Sequence, residues 1–258
     1  MELKVKSGIK VKSLTTIFTN INKLSDDINM RFSEDGIYVQ GMDPSHVSIF
    51  ELSLKKDWFE MYDVSNSLVL GLKCSTLNLL FGICKDGQSV HMNYISGKDK
   101  LDISFVSDEE IEHTNHEFNI PIMDIEQEIM DIPDSGYDVV ILLDSKKLCE
   151  NISPFSKFGD NIEFKLGKLG LSLSSSDDTN GTINSYINSD TYNNSESKIF
   201  NINLSLKYLM SFLSFHKISK KVEMRITQDV PFRMDYILEE NDPSQYIRFY
   251  LAPRMDDE

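Results

Sequence analysis

The residues with the greatest capacity for chemistry lie in one acidic stretch, 107–117, which reads SDEEIEHTNHE. It contains His113 and His116. Four glutamates flank this pair: Glu109, Glu110, Glu112 and Glu117. Histidine and carboxylate side chains are metal ligands, so a metal site is one interpretation. A solvated acidic loop is the other, and we adopt it; no metal site is predicted.

Other catalytic signatures are missing from the sequence. Gly167-Lys168 lacks the upstream glycine of a phosphate-binding loop, and neither G-x-S-x-G nor H-E-x-x-H occurs. No carboxylate pair has a pattern typical of a general acid and base. Cys74, Cys84 and Cys149 have no zinc spacing, which indicates reduced thiols. The sequence therefore predicts no enzyme activity and no cofactor.

The overall charge restricts the possible partners. The chain has 258 residues and a formal net charge of −15, which DNA would repel. Either the protein avoids DNA, or its lysines are concentrated on one surface. The N-terminal MELKVKSGIKVK lacks the apolar stretch of a secretory signal, and no apolar run is long enough to span a bilayer. We expect a protein that is not secreted.

The elements that could carry a function occur twice. A shift of 134 positions places the helical apolar pattern of 14–24 on that of 148–158. The alternating pattern that follows at 28–32 falls on 162–166, and Gly36 falls on Gly170. Helix, strand, turn and strand are therefore predicted in both halves. Further apolar helices are predicted at 72–84 and 204–215.

Few helices among many short alternating runs favour an α+β fold, with helices on one face of antiparallel sheets. We predict an N-terminal domain at 1–120, a connecting segment at 121–136 and a C-terminal domain at 137–258. The connecting segment is too apolar for a free linker, so we expect it to lie on a surface. The polar stretch 174–197 is predicted to form strands joined by hairpins, with a disordered insert as the alternative.

Several ordered motifs resemble one family. The run GIYVQGMDPSHVSI (36–49) contains the Met-Asp-x-Ser-His-Val pattern of proliferating-cell-nuclear-antigen sliding clamps. Ile132-Pro133 is similar to the end of their connecting loop, and Asp229-Val-Pro231 and Tyr250-Leu-Ala-Pro-Arg254 resemble their C-terminal signatures. These matches extend along the whole chain. The resemblance implies a DNA-clamp fold of two similar domains, each with two helices on an inner face and sheets outside.

The resemblance also implies a function. Three identical chains would close head to tail into a homotrimeric ring that encircles double-stranded DNA without sequence preference. The ring would act as a polymerase processivity factor in DNA replication and repair. It would also bind a clamp loader and other clients that carry short clamp-binding peptides. We expect location in the nucleus or at a site of viral DNA replication. The alternative is a clamp-fold polymerase accessory or transcription factor that forms no closed ring.

Lysines on the inner helices would resolve the charge problem, because attraction depends on the local potential. The first helix has Thr15, Thr16 and Asn22 where the family is usually basic, and the second has Leu79 and Gly82. The inner surface is therefore expected to be only weakly basic. The candidate DNA-binding residues are Lys10, Lys12, Lys23, Lys146, Lys147, Lys157, Lys207 and Lys217.

For client proteins, the resemblance implies a hydrophobic groove that receives a short helical turn with aromatic anchors. Some of its apolar residues could equally be core. The candidate partner-binding residues are Met42, His46, Val47, Ile49, Met130, Ile132, Pro133, Pro231, Tyr250, Leu251, Ala252 and Pro253. The resemblance further implies subunit contacts between edge strands near 112–120 and 180–188, and modification of Lys168.

Overall fold

The computed structural model describes residues 1–107, 114–126, 128–132, 136–167, 170–188, 193–194, 200–227 and 230–254, with the backbone alone at 193, 194 and 200. The chain divides into two compact units. The first unit contains Met1–Met42, Glu51–Met130 and Leu238–Ile247. The second unit contains Asp43–Phe50, Asp131–Ile237 and Arg248–Glu258.

In the first half of the chain, the described residues form two helices and nine strands. The helices are α1 (Ile9–Asn20), which continues into a 3-10 turn at Ile21–Lys23, and α2 (Cys74–Phe81). The strands are β1 (Glu2–Val5), β2 (Asp27–Ser33), β3 (Gly36–Met42), β4 (Ser48–Lys55), β5 (Met61–Asp63), β6 (Leu68–Lys73), β7 (Gln88–Asn93), β8 (Lys100–Ser107) and β9 (His116–Pro121).

The second half repeats this order. Its helices are α3 (Ser145–Ile152), followed by a 3-10 turn at Ser153–Lys157, and α4 (Leu206–Leu213). The strands are β10 (Val139–Asp144), β11 (Asn161–Gly167), β12 (Gly170–Asp177), β13 (Gly181–Asn188), β14 (Asn193–Asn194), β15 (Phe200–Ser205), β16 (Lys221–Ile226), β17 (Phe232–Glu239) and β18 (Asp242–Leu251).

The sheets are antiparallel, which confirms the predicted α+β class. In the first unit, one sheet has the order β5-β1-β7-β8-β9, and β2 pairs with both β3 and β6. In the second unit, one sheet has the order β13-β12-β11-β15, and β16 pairs with both β10 and β17. The hairpin of β12 and β13 confirms the strands predicted from 174 onward, as far as the described residues extend.

The predicted repeat is confirmed at the level of strand register. Ser33 pairs with Gly36 at the β2–β3 turn, and Gly167 pairs with Gly170 at the β11–β12 turn, each 134 positions later. Both glycines have a positive φ, 144° at Gly36 and 156° at Gly170. A Cβ at Gly36 would lie 2.1 Å from the Leu54 carbonyl oxygen, so a neighbouring backbone leaves no space for a side chain.

The helices cover the sheets through aromatic clusters. In the first unit, Phe18 of α1 lies 4.6 Å from Phe81 of α2, and Phe81 lies 5.5 Å from Phe105 of β8, measured between ring centroids. In the second unit, Phe212 of α4 stacks on Phe249 at 4.7 Å. Because such rings bury a large apolar area, they hold the helices against their sheets.

The described residues of the connecting segment up to Met130 lie on the first unit, in agreement with the predicted surface position. The Met123 N–H donates to the Gly71 carbonyl at 2.8 Å, and the Asn29 side chain donates to the Ile125 carbonyl at 3.0 Å. The Gln40 side chain accepts from the Met130 N–H and donates to its carbonyl. No helix in the described ranges is long and apolar enough to cross a membrane.

Candidate functional site

The Met-Asp-Pro-Ser-His-Val motif forms a tight loop between β3 and β4, organised by one carboxylate. Asp43 Oδ1 accepts from the Val47 N–H at 2.8 Å and from the Ser48 N–H at 2.5 Å, and Oδ2 accepts from the Ser45 N–H at 2.9 Å. The backbone of Asp43 also bonds to Ser48 and His46. His46 has a φ of 59°, a conformation uncommon outside glycine, so these bonds hold the loop in a defined shape.

Asp43 also receives a bond from a helix of the same unit. The Tyr208 hydroxyl of α4 donates to Asp43 Oδ2 at 2.8 Å. Burial alone would raise the pKa of Asp43, but the bonds from Ser48, Tyr208, Ser45 and Val47 outweigh it and lower that pKa. Burial, with the neighbouring carboxylate, raises the pKa of Tyr208, which therefore stays a donor at neutral pH.

The C-terminal segment runs beside this loop. The Ala252 N–H donates to the Val47 carbonyl at 3.0 Å, and the Arg254 N–H donates to the Asn203 carbonyl at 2.9 Å. Ala252 is exposed and Pro253 is half-buried. The second unit therefore brings together two of the predicted partner-binding segments, the His46 loop and the C-terminal residues.

The predicted partner-binding residues of this unit differ in exposure. His46 and Pro231 are exposed, and Val47, Ile49 and Ile132 are half-buried. Tyr250 is 5% exposed and Leu251 0%, so both side chains belong to the core of the unit. Their residue types alone are compatible with either a binding surface or the core. Pro133 and Lys168 lie outside the described residues.

The remaining two predicted partner-binding residues belong to the first unit. Met42 ends β3 and is half-buried. Met130 is half-buried at the end of the connecting segment, where Gln40 binds both of its backbone polar groups.

A buried ion cluster underlies Tyr250. Arg233 donates to both oxygens of Asp235, with the shortest contact 2.6 Å, and Arg248 donates to Asp235 at 3.2 Å. Arg248 also donates to the Tyr250 hydroxyl at 3.5 Å. Asp235 is 3% exposed, so its charge is compensated by the two guanidinium groups rather than by water. Arg248 thus connects Tyr250, the first residue of the C-terminal signature, to this buried cluster.

The candidate DNA-binding lysines differ between the units. In the first unit, Lys10 pairs with Glu239 at 2.7 Å and Lys12 with Asp86 at 3.0 Å, whereas exposed Lys23 donates to the Asn20 side chain. Exposed Leu79 lies on α2.

In the second unit, Lys146 lies 3.8 Å from Glu150. Lys207 Nζ lies 5.2 Å from the centroid of the Tyr208 ring. Lys147, Lys157 and Lys217 are exposed. Within the part of the chain that the structure describes, these three and Lys207 form no ion pair.

The acidic histidine stretch lies mostly outside the described residues, which include His116 and Glu117 but not His113, Glu109, Glu110 or Glu112. The His116 ring stacks on Phe118 at 6.1 Å. In the described ranges, no three His, Cys, Asp or Glu residues are grouped so that they could hold a metal ion.

Each unit has a strand at a sheet edge. β9 is the last strand of the five-stranded sheet and pairs with β8, and β13 is the last strand of the four-stranded sheet and pairs with β12. These two strands overlap the stretches 112–120 and 180–188 that the sequence predicted for subunit contacts. Tyr186 on β13 is 53% exposed.

Sequence reasoning missed the two residues that shape the loop. Asp43 had a signal in the Asp-Pro-Ser sequence, since aspartate at the start of a turn accepts N–H groups two or more residues later. Tyr208 had no comparable signal, because it is 165 positions away from Asp43 along the chain.

The element order, given twice along the chain, defines a duplicated α+β protein of two compact units. Residues 1–129 match the family model "Proliferating cell nuclear antigen, N-terminal domain", and residues 131–254 match the corresponding C-terminal model.

Relatives that are matched over nearly their whole length carry the same family name. Proliferating cell nuclear antigen of Caenorhabditis elegans is 27% identical over 252 residues, which cover 95% of this chain and 94% of the relative. The protein of the same name from Chaetomium thermophilum is also 27% identical over 252 residues, with 95% of each chain covered. Proliferating cell nuclear antigen 1 of Plasmodium falciparum is 26% identical over 284 residues, with 100% and 98% covered.

The chain belongs to the proliferating cell nuclear antigen family. It is a DNA sliding clamp and polymerase processivity factor, not an enzyme. Clamps of this family form trimers, encircle DNA and bind polymerases and other clients, and no finding favours the alternative without a ring. The relatives indicate a role in nuclear DNA replication.

Proposed function

We propose that clients of this clamp bind the surface formed in the second unit by the His46 loop and residues 252–253. The observation that carries the proposal is the hydrogen bond from the Ala252 N–H to the Val47 carbonyl, which places half-buried Val47 beside an exposed C-terminal residue. Ile49, Ile132 and Pro231 of the same unit are proposed to add apolar area. Met42, Met130 and Pro133 are proposed as partner-binding residues on the family resemblance alone. Tyr250 and Leu251 support the surface from the core.

The test is Val47→Glu, which places a charge on the apolar surface while both backbone bonds of residue 47 can persist. Ile95→Glu is the matched control, since Ile95 is an apolar side chain 56% exposed in the first unit. A fluorescent synthetic peptide with one helical turn and two aromatic anchors should lose affinity for the Val47 variant by more than about tenfold. Equal affinity of the two variants would refute the proposed surface.

The candidate lysines are proposed to contact DNA phosphates, with the larger share from the second unit, where fewer of them are paired with acids. Such contacts position the ring without reading sequence. Edge strands β9 and β13 are proposed to pair between protomers, because an unpaired strand edge is a template for another chain. Head-to-tail pairing of this kind closes a ring.

Three further assignments are proposed. The functional domains are proposed at 1–120 and 137–258, joined by 121–136, which is supported by the 134-residue repeat. Lys168 is a proposed modification site. The proposed location is the nucleus or a site of viral DNA replication, and fluorescence microscopy of the tagged protein during DNA synthesis would test it.

A further inference from the structure

Helix α4 carries two adjacent side chains with different proposed roles. Lys207 is a candidate phosphate contact, and the Tyr208 hydroxyl bonds to the His46 loop. The Lys207 ammonium lies 5.2 Å from the Tyr208 ring centroid, and the Tyr208 hydroxyl donates to Asp43 Oδ2 at 2.8 Å. Asp43 in turn accepts from three backbone N–H groups of the loop.

Two bonds reach the loop from other elements of the second unit: the Ala252 N–H donates to the Val47 carbonyl, and the Tyr208 hydroxyl donates to the Asp43 carboxylate. Its backbone turns through the positive φ of His46, a conformation that a non-glycine residue holds only when its surroundings fix it. The bonds from Ser45, Val47 and Ser48 to Asp43 are local, because they join residues of the same loop. Tyr208 supplies a bond from a rigid element, and it fixes where the carboxylate lies relative to the sheet and helix of the second unit.

We infer that Tyr208 is a positioning residue for client binding: its hydroxyl anchors the Asp43 carboxylate and thereby presets the His46 loop in its binding shape. This inference rests on the proposed client surface. A loop held in one conformation before binding loses less ordering entropy when the client docks, and so gains affinity. Tyr208 needs no contact with the client to have this effect.

The experiment compares Tyr208→Phe with Tyr62→Phe in the full-length ring. Each change removes one hydroxyl that donates a hydrogen bond, since Tyr62 donates to the Ser33 carbonyl at 2.7 Å in the first unit. The ring of residue 208 remains, so its packing and its contact with Lys207 persist. Native mass spectrometry and thermal unfolding verify that both variants are folded trimers.

Affinity is measured with the same fluorescent peptide, and loop order by hydrogen exchange of the Ser45, Val47 and Ser48 amides. Tyr208→Phe should weaken peptide binding by about fivefold to tenfold and accelerate exchange at these amides, as expected when one bond to a carboxylate is removed. Tyr62→Phe should change neither measurement. If the role of Tyr208 is purely structural, Tyr208→Phe should lower thermal stability and leave the peptide affinity equal to that of the unmodified ring, and this result would refute the positioning role.

Val47→Glu distinguishes failure of the positioning role of Tyr208 from failure of the proposed client surface. If it abolishes peptide binding while Tyr208→Phe binds like the unmodified ring, the positioning role is refuted and the client surface stands. If neither variant alters peptide binding, the client surface is refuted as well, and the positioning role with it.

Discussion

Lys12 Nζ lies 3.0 Å from Asp86 Oδ2, so one of the few cations on the first helix is already paired with an anion of its own unit. Lys10 is paired in the same way with Glu239. A lysine beside a carboxylate has a weaker local potential than an isolated one, and it must exchange partners before it can bind a phosphate. We therefore expect the two units to differ in their capacity to attract DNA.

This difference predicts unequal effects of lysine removal. The triple variant Lys147→Gln, Lys157→Gln, Lys207→Gln should reduce the salt dependence of binding to a short linear duplex. The slope of log affinity against log salt between about 50 and 200 mM should fall by roughly 0.9 for each phosphate that no longer binds a lysine. Fluorescence anisotropy across this salt range measures it.

The matched control is the triple variant Lys10→Gln, Lys12→Gln, Lys23→Gln in the first unit. It removes the same charge, but two of its three lysines are paired with acids. We expect a smaller change in slope. Both variants should remain trapped on circular DNA, because topology retains a closed ring. An equal decrease of slope in the two variants would contradict the predicted asymmetry.

The Asp43 carboxylate should contribute measurably to stability. Asp43→Ala leaves the N–H groups of Ser45, Val47 and Ser48 without their acceptor, and we expect a loss of about 2 kcal/mol in the free energy of unfolding. Urea unfolding measures this loss. The control Asp177→Ala removes a similar acceptor of two N–H groups in an exposed hairpin turn, where water can replace it.

The same carboxylate predicts a pH dependence. The pKa of Asp43 is lower in the folded protein than the ordinary carboxyl value, because its hydrogen bonds outweigh burial. Its stabilising contribution is therefore complete above the ordinary value and is lost as the pH falls through the folded pKa. Between about pH 5 and pH 2 the unmodified protein should lose more stability than Asp43→Ala. Parallel pH profiles for the two proteins would contradict this assignment.

Much of the fold was predictable because its signals are local and repeated. The apolar periods of α1 and α3, and the Gly36 and Gly170 turns, follow directly from residue types at fixed spacing. The helices predicted at 72–84 and 204–215 occur as Cys74–Phe81 and Leu206–Leu213, shorter at each end. Helix ends are less marked in a sequence than helix centres, since the last turns depend on local capping.

The site was only partly predictable, because its geometry depends on distant contacts. The apolar character of Leu251 and Tyr250 suited a binding surface or a core, and only the fold shows that both are buried. Similarly, the charge of Lys10 gave no indication of its pairing with Glu239, which is 229 positions away along the chain. Residue type restricts what a side chain can do, whereas its neighbours decide what it does.

Gly71 on β6 should control how the connecting segment attaches to the first unit. A Cβ there would lie 2.3 Å from the Met123 carbonyl oxygen and 2.9 Å from the Ile125 side chain. Gly71→Ala should therefore displace the segment, break the bond from the Met123 N–H to the Gly71 carbonyl, and cost about 1–3 kcal/mol.

Hydrogen exchange at the Met123 and Met130 amides measures this displacement, and both should exchange faster. Gly136→Ala is the control, since a Cβ at Gly136 would have no heavy atom within 4 Å. Unchanged protection at Met123 in Gly71→Ala would show that the strand, not the segment, yields.

Tyr186 should contribute to ring closure, because it is a large exposed aromatic side chain on the edge strand β13. Its hydroxyl end lies beside Gly170 of the neighbouring strand β12, since a Cβ at Gly170 would lie 2.8 Å from the Tyr186 hydroxyl oxygen. Exposed tyrosines of this kind are typical of residues that dominate an interface.

Tyr186→Asp should weaken trimer association by at least about tenfold, because it removes this apolar area and places a carboxylate on the contact edge. Native mass spectrometry over a dilution series measures the change in trimer fraction. Ile95→Asp is the control, since it introduces the same charge at an apolar side chain that is 56% exposed and lies between β7 and β8. Trimers that persist equally on dilution of the two variants would exclude the Tyr186 edge from the subunit contact.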